Sequence, residues 1–134
     1  MKRTLLLTIA LLLGLASAAW ADDIHMKAAP TNPAAYGTVS VEHDRNGNIE
    51  MKIRVHHLAQ PGAVDTATTT YVVWIQPKDR PADNVGVMRV DKNLNGEFKA
   101  TTPHQKFDVF ITAETTPRPD QPTGPEVLRA SVDK

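Results

Sequence analysis

Residues 49–56 read IEMKIRVH. Ile49, Met51, Ile53 and Val55 are apolar, and Glu50, Lys52, Arg54 and His56 between them are not. Strict alternation over eight positions predicts a strand with one face on a core and one in water. A helix would scatter the same apolar residues around its circumference.

The segments on either side follow the same period. Gly37 to Glu42 reads as a strand, and Asn46-Gly47 is a strong hairpin signal between it and residues 49–56. After a loop over 59–69, Tyr71 to Ile75 gives five consecutive β-formers, too short for a helix. They suit a central strand covered on both faces. A second, near-continuous apolar run spans Phe107 to Ala113, with shorter strands at Val85–Val90, Glu97–Ala100 and Val127–Val132. Pro117, Pro119, Pro122 and Pro125 exclude regular structure between the last two. Seven short strands, turn signals about every ten residues and no helix predict an all-β fold, an immunoglobulin-like antiparallel β-sandwich. Trp74 is expected to fill the space between its two sheets.

The first 21 residues read differently. Lys2 and Arg3 precede an apolar run from Leu5 to Ala19, and Ala19-Trp20-Ala21 offers small residues where a signal peptidase reads them. The pattern predicts a secretory signal over residues 1–21, cleaved before Asp22. The run is short for a membrane span, and no second one follows, so no span is expected after cleavage. Residues 22–35, with Pro30 and Pro33, read as an extended lead-in, and residues 36–134 as one domain. The predicted location is the periplasm or the extracellular medium. The chain has no cysteine, so the domain must be held by its core alone. Without Lys2 and Arg3 it carries 13 basic and 15 acidic residues. That balance offers no basic surplus for phosphate binding, and nucleic acid is not an expected partner.

Candidate chemistry is sparse. In DKNLNG, residues 91–96, Asp91, Asn93, Asn95 and Gly96 match the first half of a calcium loop, but position 12 is Thr102, which cannot give two oxygens. The competing reading is a hairpin connection in which Asn95-Gly96 accepts positive φ. His25 and Met26 adjoin, as copper ligands can, yet His25 stands one place too far from Asp22 for an amino-terminal chelate. His56 and His57 are neighbours on a strand and should point to opposite faces. Blue-copper and structural zinc sites lack their usual thiolate. Ser40 and Ser131 lie in strands outside any nucleophile motif, and Asp83, Asp91, Asp108, Glu114 and Asp120 read as scattered surface carboxylates. No catalytic residue, cofactor or metal site is expected, with His25, Met26, Asp91, Asn93 and Asn95 the best metal candidates.

Several stretches resemble the extracytoplasmic domain of anti-sigma-K factors. They are Tyr71-Val-Val-Trp74, the later Gly86, Phe107 to Glu114, and above all Pro122-Thr-Gly-Pro-Glu-Val-Leu-Arg-Ala130. The likeness extends from about Tyr36 to Val132. It implies a β-sandwich with a sensing or protein-contact role and no catalytic residues. Family members reach that domain through a sigma-binding cytoplasmic part and a membrane helix, and here a signal segment stands in their place. The expectation is a non-enzymatic envelope module whose partner is another envelope protein; a periplasmic copper or calcium binder is the alternative.

Overall fold

The computed structural model describes residues 22–134, so the predicted signal segment lies outside the described residues. The described chain is all-β: eight antiparallel strands and a single helical turn, α1 (Pro61–Val64). The strands are β1 (Asp22–Ala28), β2 (Tyr36–His43), β3 (Ile49–His56), β4 (Thr70–Pro77), β5 (Asp83–Met88), β6 (Gly96–Thr102), β7 (Lys106–Glu114) and β8 (Glu126–Asp133). Their order in the sheet is β5-β4-β7-β8-β1-β2-β3-β6. The two ends of that order approach each other through the β5–β6 connection, where Val90 bridges Gly96. The sheet is therefore nearly closed. Among the described residues no helix is long and apolar enough to cross a membrane.

The alternation in residues 49–56 is realised: Ile49, Met51, Ile53 and Val55 are fully buried, while Glu50 and Arg54 face solvent. β4 and β7 pair along eight residues, from Thr70 opposite Glu114 to Pro77 opposite Phe107. Both lie inside the sheet, where apolar runs, continuous in β4 and near-continuous in β7, belong. The interior is one cluster, to which β2, β3, β4, β7 and β8 all contribute.

Eight strands are present rather than seven because the lead-in supplies β1. Ile24, Met26 and Ala28 turn toward the interior, and Met26 is buried. β1 has two partners in succession. Asp22 to Met26 pair with Val41 to Gly37 of β2, then Lys27 and Ala28 pair with Arg129 and Leu128 of β8.

Two hairpins are turned by one five-residue device. Asp44-Arg-Asn-Gly-Asn48 joins β2 to β3, and Asp91-Lys-Asn-Leu-Asn95 precedes β6. In each, the aspartate Oδ1 accepts from the backbone N–H two and four residues on: Asn46 at 2.8 Å and Asn48 at 2.9 Å, then Asn93 at 2.9 Å and Asn95 at 3.0 Å. The fourth residue takes positive φ, +78° at Gly47 and +64° at Leu94. The second turn thus corrects an expectation. Leu94 adopts the left-handed conformation, and Asn95 and Gly96 do not.

Tyr71 points inward and is almost fully buried, its hydroxyl donating to the Ala59 carbonyl at 2.5 Å. Burial pushes its pKa up from 10.0 to about 12. A raised folded value means that the stabilisation is whole below the ordinary value and is lost as pH rises through the folded one. Urea unfolding should show stability falling between pH 10.0 and about 12, and Tyr71→Phe should flatten that part of the profile.

Candidate functional site

The indole of Trp74 does not sit in the main interior. β4 places Tyr71, Val73 and Ile75 on the inner face, so Val72 and Trp74 emerge on the outer one. There Trp74 is fully buried in a second small cluster with Val72 and Phe110. The Trp74 and Phe110 rings stack at 6.4 Å, and the Arg129 guanidinium lies 4.1 Å over Phe110. Glu126 and Asp108 fix Arg129 at 2.6 and 2.8 Å. The expectation of a tryptophan between sheets failed because the run YVVWI is apolar on both parities and carries no information about which face turns inward.

The outer tryptophan is tied to a proline-rich loop. The link is a chain of hydrogen bonds: Trp74 Nε1 donates to Thr112 Oγ1 at 2.8 Å, and Thr112 Oγ1 donates to Glu114 Oε2 at 3.1 Å. Glu114, 1% exposed, also accepts from Thr123 Oγ1 at 2.6 Å, Thr123 N at 2.9 Å and Gly124 N at 2.8 Å. Read from sequence, Glu114 was one surface carboxylate among several; here it is the knot that closes the loop on itself. Burial pushes its pKa up, but the Thr123, Gly124 and Thr112 donors outweigh that and hold the carboxyl below its usual 4.5. Gly124 packs so closely that an added Cβ would overlap the Ala113 carbonyl. The Thr-Gly of the closing motif is therefore explained by two N–H donors and the absence of a side chain.

From this knot the loop runs out over β5. Asn84 Nδ2 donates to the Pro117 carbonyl at 3.3 Å, and Thr69 Oγ1 to the Thr115 carbonyl at 3.2 Å. Between loop and strand lies a groove of about 700 Å³, lined by Asp83, Asn84, Val87, Pro117, Arg118 and Asp120 among others. A second hollow of about 640 Å³, between the β3–β4 loop and β5, shares Val87 and Pro117 as wall. Val87, 37% exposed, is one of two large apolar side chains open to solvent among the described residues. Volumes of this order suit a small ligand or a few residues of an extended chain.

The histidines fall elsewhere. β3 ends at His56, and His57 takes φ +54°. This break overturns the expected opposite orientation, since both rings lie against Tyr36, at 4.9 and 5.6 Å between centroids. Asn95 Oδ1 can only accept, so His56 donates to it through Nδ1 at 2.9 Å, and the neutral form of the ring has its lone pair on Nε2. His25 is exposed and Met26 buried, so the two sit on opposite faces of β1. Asp91 Oδ1 is occupied by the Asn93 and Asn95 N–H groups, and Asn95 Oδ1 by His56. The calcium candidates Asp91, Asn93 and Asn95 thus serve the turn. Ser40 donates to Asp23 and Ser131 to Asp108, neither with an imidazole. Among the described residues no three His, Cys, Asp or Glu side chains gather as a metal site would require.

Comparison with known proteins found no matching family model, no similar curated protein and no similar solved structure.

A depressed carboxyl stabilises the fold above its unfolded value and loses that contribution as pH falls through the folded one. Stability should therefore decline below pH 4.5. Glu114→Gln should flatten this acid limb and cost about 2 kcal/mol at neutral pH, since an amide cannot accept from all four donors. Both are read by urea unfolding across pH.

Proposed function

We propose that the chain is an exported, non-enzymatic module of the cell envelope that contacts another envelope protein through the groove over β5. On this reading the eight strands make an immunoglobulin-like sandwich, with β1 as the strand shared between two layers. In support, β1 leaves β2 for β8 midway, and a single core draws on both halves of the sheet.

The observation that carries the proposal is the clamped proline-rich loop. Prolines at 117, 119, 122 and 125 restrict the loop before any partner arrives, and Glu114 holds its ends together. A preorganised loop loses little entropy on binding. Beside it stands Val87, exposed between the two hollows, with Arg118 and Asp120 in the groove's wall. An apolar centre with a charged margin is the anatomy of a protein contact. The motif-level likeness to anti-sigma-K outer domains supports a contact or sensing role in the same direction.

A photoreactive side chain at position 87 tests this, with one at the solvent-facing position 50 as control. In envelope extract the first should yield a discrete adduct that the second does not, and Arg118→Glu should weaken it. No adduct, or equal labelling from both positions, would count against the contact.

A second reading, periplasmic metal binding, is favoured by one observation. The break at His57 brings two imidazoles to one tyrosine, with His56 Nε2 free to coordinate. Under that reading copper(II) titrates the mature chain with micromolar affinity and His57→Ala abolishes it. Millimolar affinity, or indifference to that substitution, removes it.

A further inference from the structure

The sequence holds Asn-Gly twice, at 46–47 and 95–96. Both pairs sit at hairpin turns built on the same aspartate device, yet their surroundings are opposite. We propose that Asn46-Gly47 is a site of spontaneous isoaspartate formation, and that the fold holds Asn95-Gly96 back from the same reaction.

The chemistry needs no catalyst. The backbone nitrogen of the glycine attacks the asparagine side-chain carbonyl carbon, forming a five-membered succinimide. Solvent base takes the glycine N–H proton, a solvent proton goes to the departing amide nitrogen, and the C–N bond breaks to release ammonia. Water then opens either carbonyl, leaving aspartate or isoaspartate, with one added negative charge in both cases. Glycine suits the attack because it has no Cβ to crowd the approach. The asparagine side chain must be free to rotate over its own backbone, and the glycine nitrogen free to meet it.

Both conditions hold at Asn46. Its side chain is exposed and makes no hydrogen bond within the described residues; only its backbone N–H is engaged, by Asp44 Oδ1. Gly47 is exposed, and a Cβ placed there would meet nothing within 4 Å. The one restraint on its nitrogen is a long hydrogen bond to the Asp44 carbonyl, 3.2 Å.

Neither condition holds at Asn95. Its side-chain Oδ1 is held by His56 Nδ1 at 2.9 Å. Its N–H is held by Asp91 Oδ1 at 3.0 Å, and its carbonyl accepts from Asp91 N at 2.8 Å. Gly96 pairs with Val55 in the ladder and bridges Val90. A Cβ there would come within 2.9 Å of the Arg89 carbonyl and 3.0 Å of Val55. The succinimide would need that backbone to leave the sheet.

The change would fall on the turn that joins β2 to β3. An isoaspartate adds a backbone carbon between Asp44 and Asn48, whose N–H and C=O are both used by Asp44. The new carboxylate would also stand beside the Asp44 carboxylate.

The test is peptide mapping by mass spectrometry of the folded mature chain held in mildly alkaline buffer. Conversion at Asn46 should outrun conversion at Asn95 by at least about tenfold. Gly47→Ala should suppress it, and Asn46→Gln, which leaves the turn glycine in place, should abolish the new species at this turn. His56→Ala should raise the Asn95 rate while leaving Asn46 unchanged. Equal rates at the two asparagines, or an Asn46 rate no higher than that of Asn48, which precedes isoleucine, would overturn the proposal.

Discussion

The sheet is joined by one strand with divided loyalty. β1 gives its first five residues to β2 and its last two to β8. Remove it and β2, β3 and β6 have no ladder to β8, β7, β4 and β5 except the Val90–Gly96 bridge at the far margin. Its inward residues also fill the seam: Met26 Sδ lies 3.1 Å from the position a Cβ would take on Gly37. This joint is made between the first strand and the last, with Lys27 opposite Arg129. A pairing so distant in the chain closes a long loop before it is rewarded, which places the protein among slow-folding β topologies.

The outer face depends on a different kind of interaction. Val72, Trp74 and Phe110 form a patch too small to drive folding, yet all three are buried. Ala82 packs against them and the Arg129 guanidinium lies over Phe110, while the hydrogen-bond chain from Trp74 through Thr112 ends on Glu114, the single carboxylate that gathers the proline-rich loop. Glu114 is an unusual means of doing this, since a charge removed from water is costly unless every lone pair is engaged. Four donors meet that condition here, two of them backbone N–H groups from Thr123 and Gly124. Loop shape, groove and tryptophan environment therefore share one electrostatic dependence.

The strands with a clean period were legible in the sequence. β3 declared both its type and its buried face, because four apolar and four polar residues alternate without exception. β4 declared its central place but not which parity faced inward, since apolar residues on both parities erase that signal; β7 carries the signal, with Phe107, Val109, Ile111 and Ala113 on the inner face and Phe110 the one apolar residue of its outer face. β1 was harder to see: Ile24, Met26 and Ala28 do alternate with Asp23, His25 and Lys27, but over few residues and beside two prolines. Leu94 gave no warning of positive φ, which its residue type disfavours, and His57 only a faint one, since histidine is among the side chains enriched there. Glu114 was illegible as a buried group because a lone carboxylate carries no pattern. Its only sign was its position at the end of the strand-forming stretch Val109-Phe-Ile-Thr-Ala113, with no turn residue between. The closing Pro-Thr-Gly-Pro stands out as a motif in the sequence, and the Glu114 contacts of Thr123 and Gly124 give its Thr-Gly a physical reason.

β5 has a further consequence at the margin of the sheet. A long bare strand there would offer its unpaired amides to any passing copy, the usual route to fibrillar stacking. This one is irregular along its length. Its register with β4 shifts between Val73 and Trp74, Gly86 stands at φ +144°, and the Gly86 amide is turned to its own Asn84 side chain. Phe98 lies against the bare face of Gly86. Such a margin is a poor template for growth, which matters for a protein that has no covalent cross-link to keep a partly opened sheet from recruiting its neighbours.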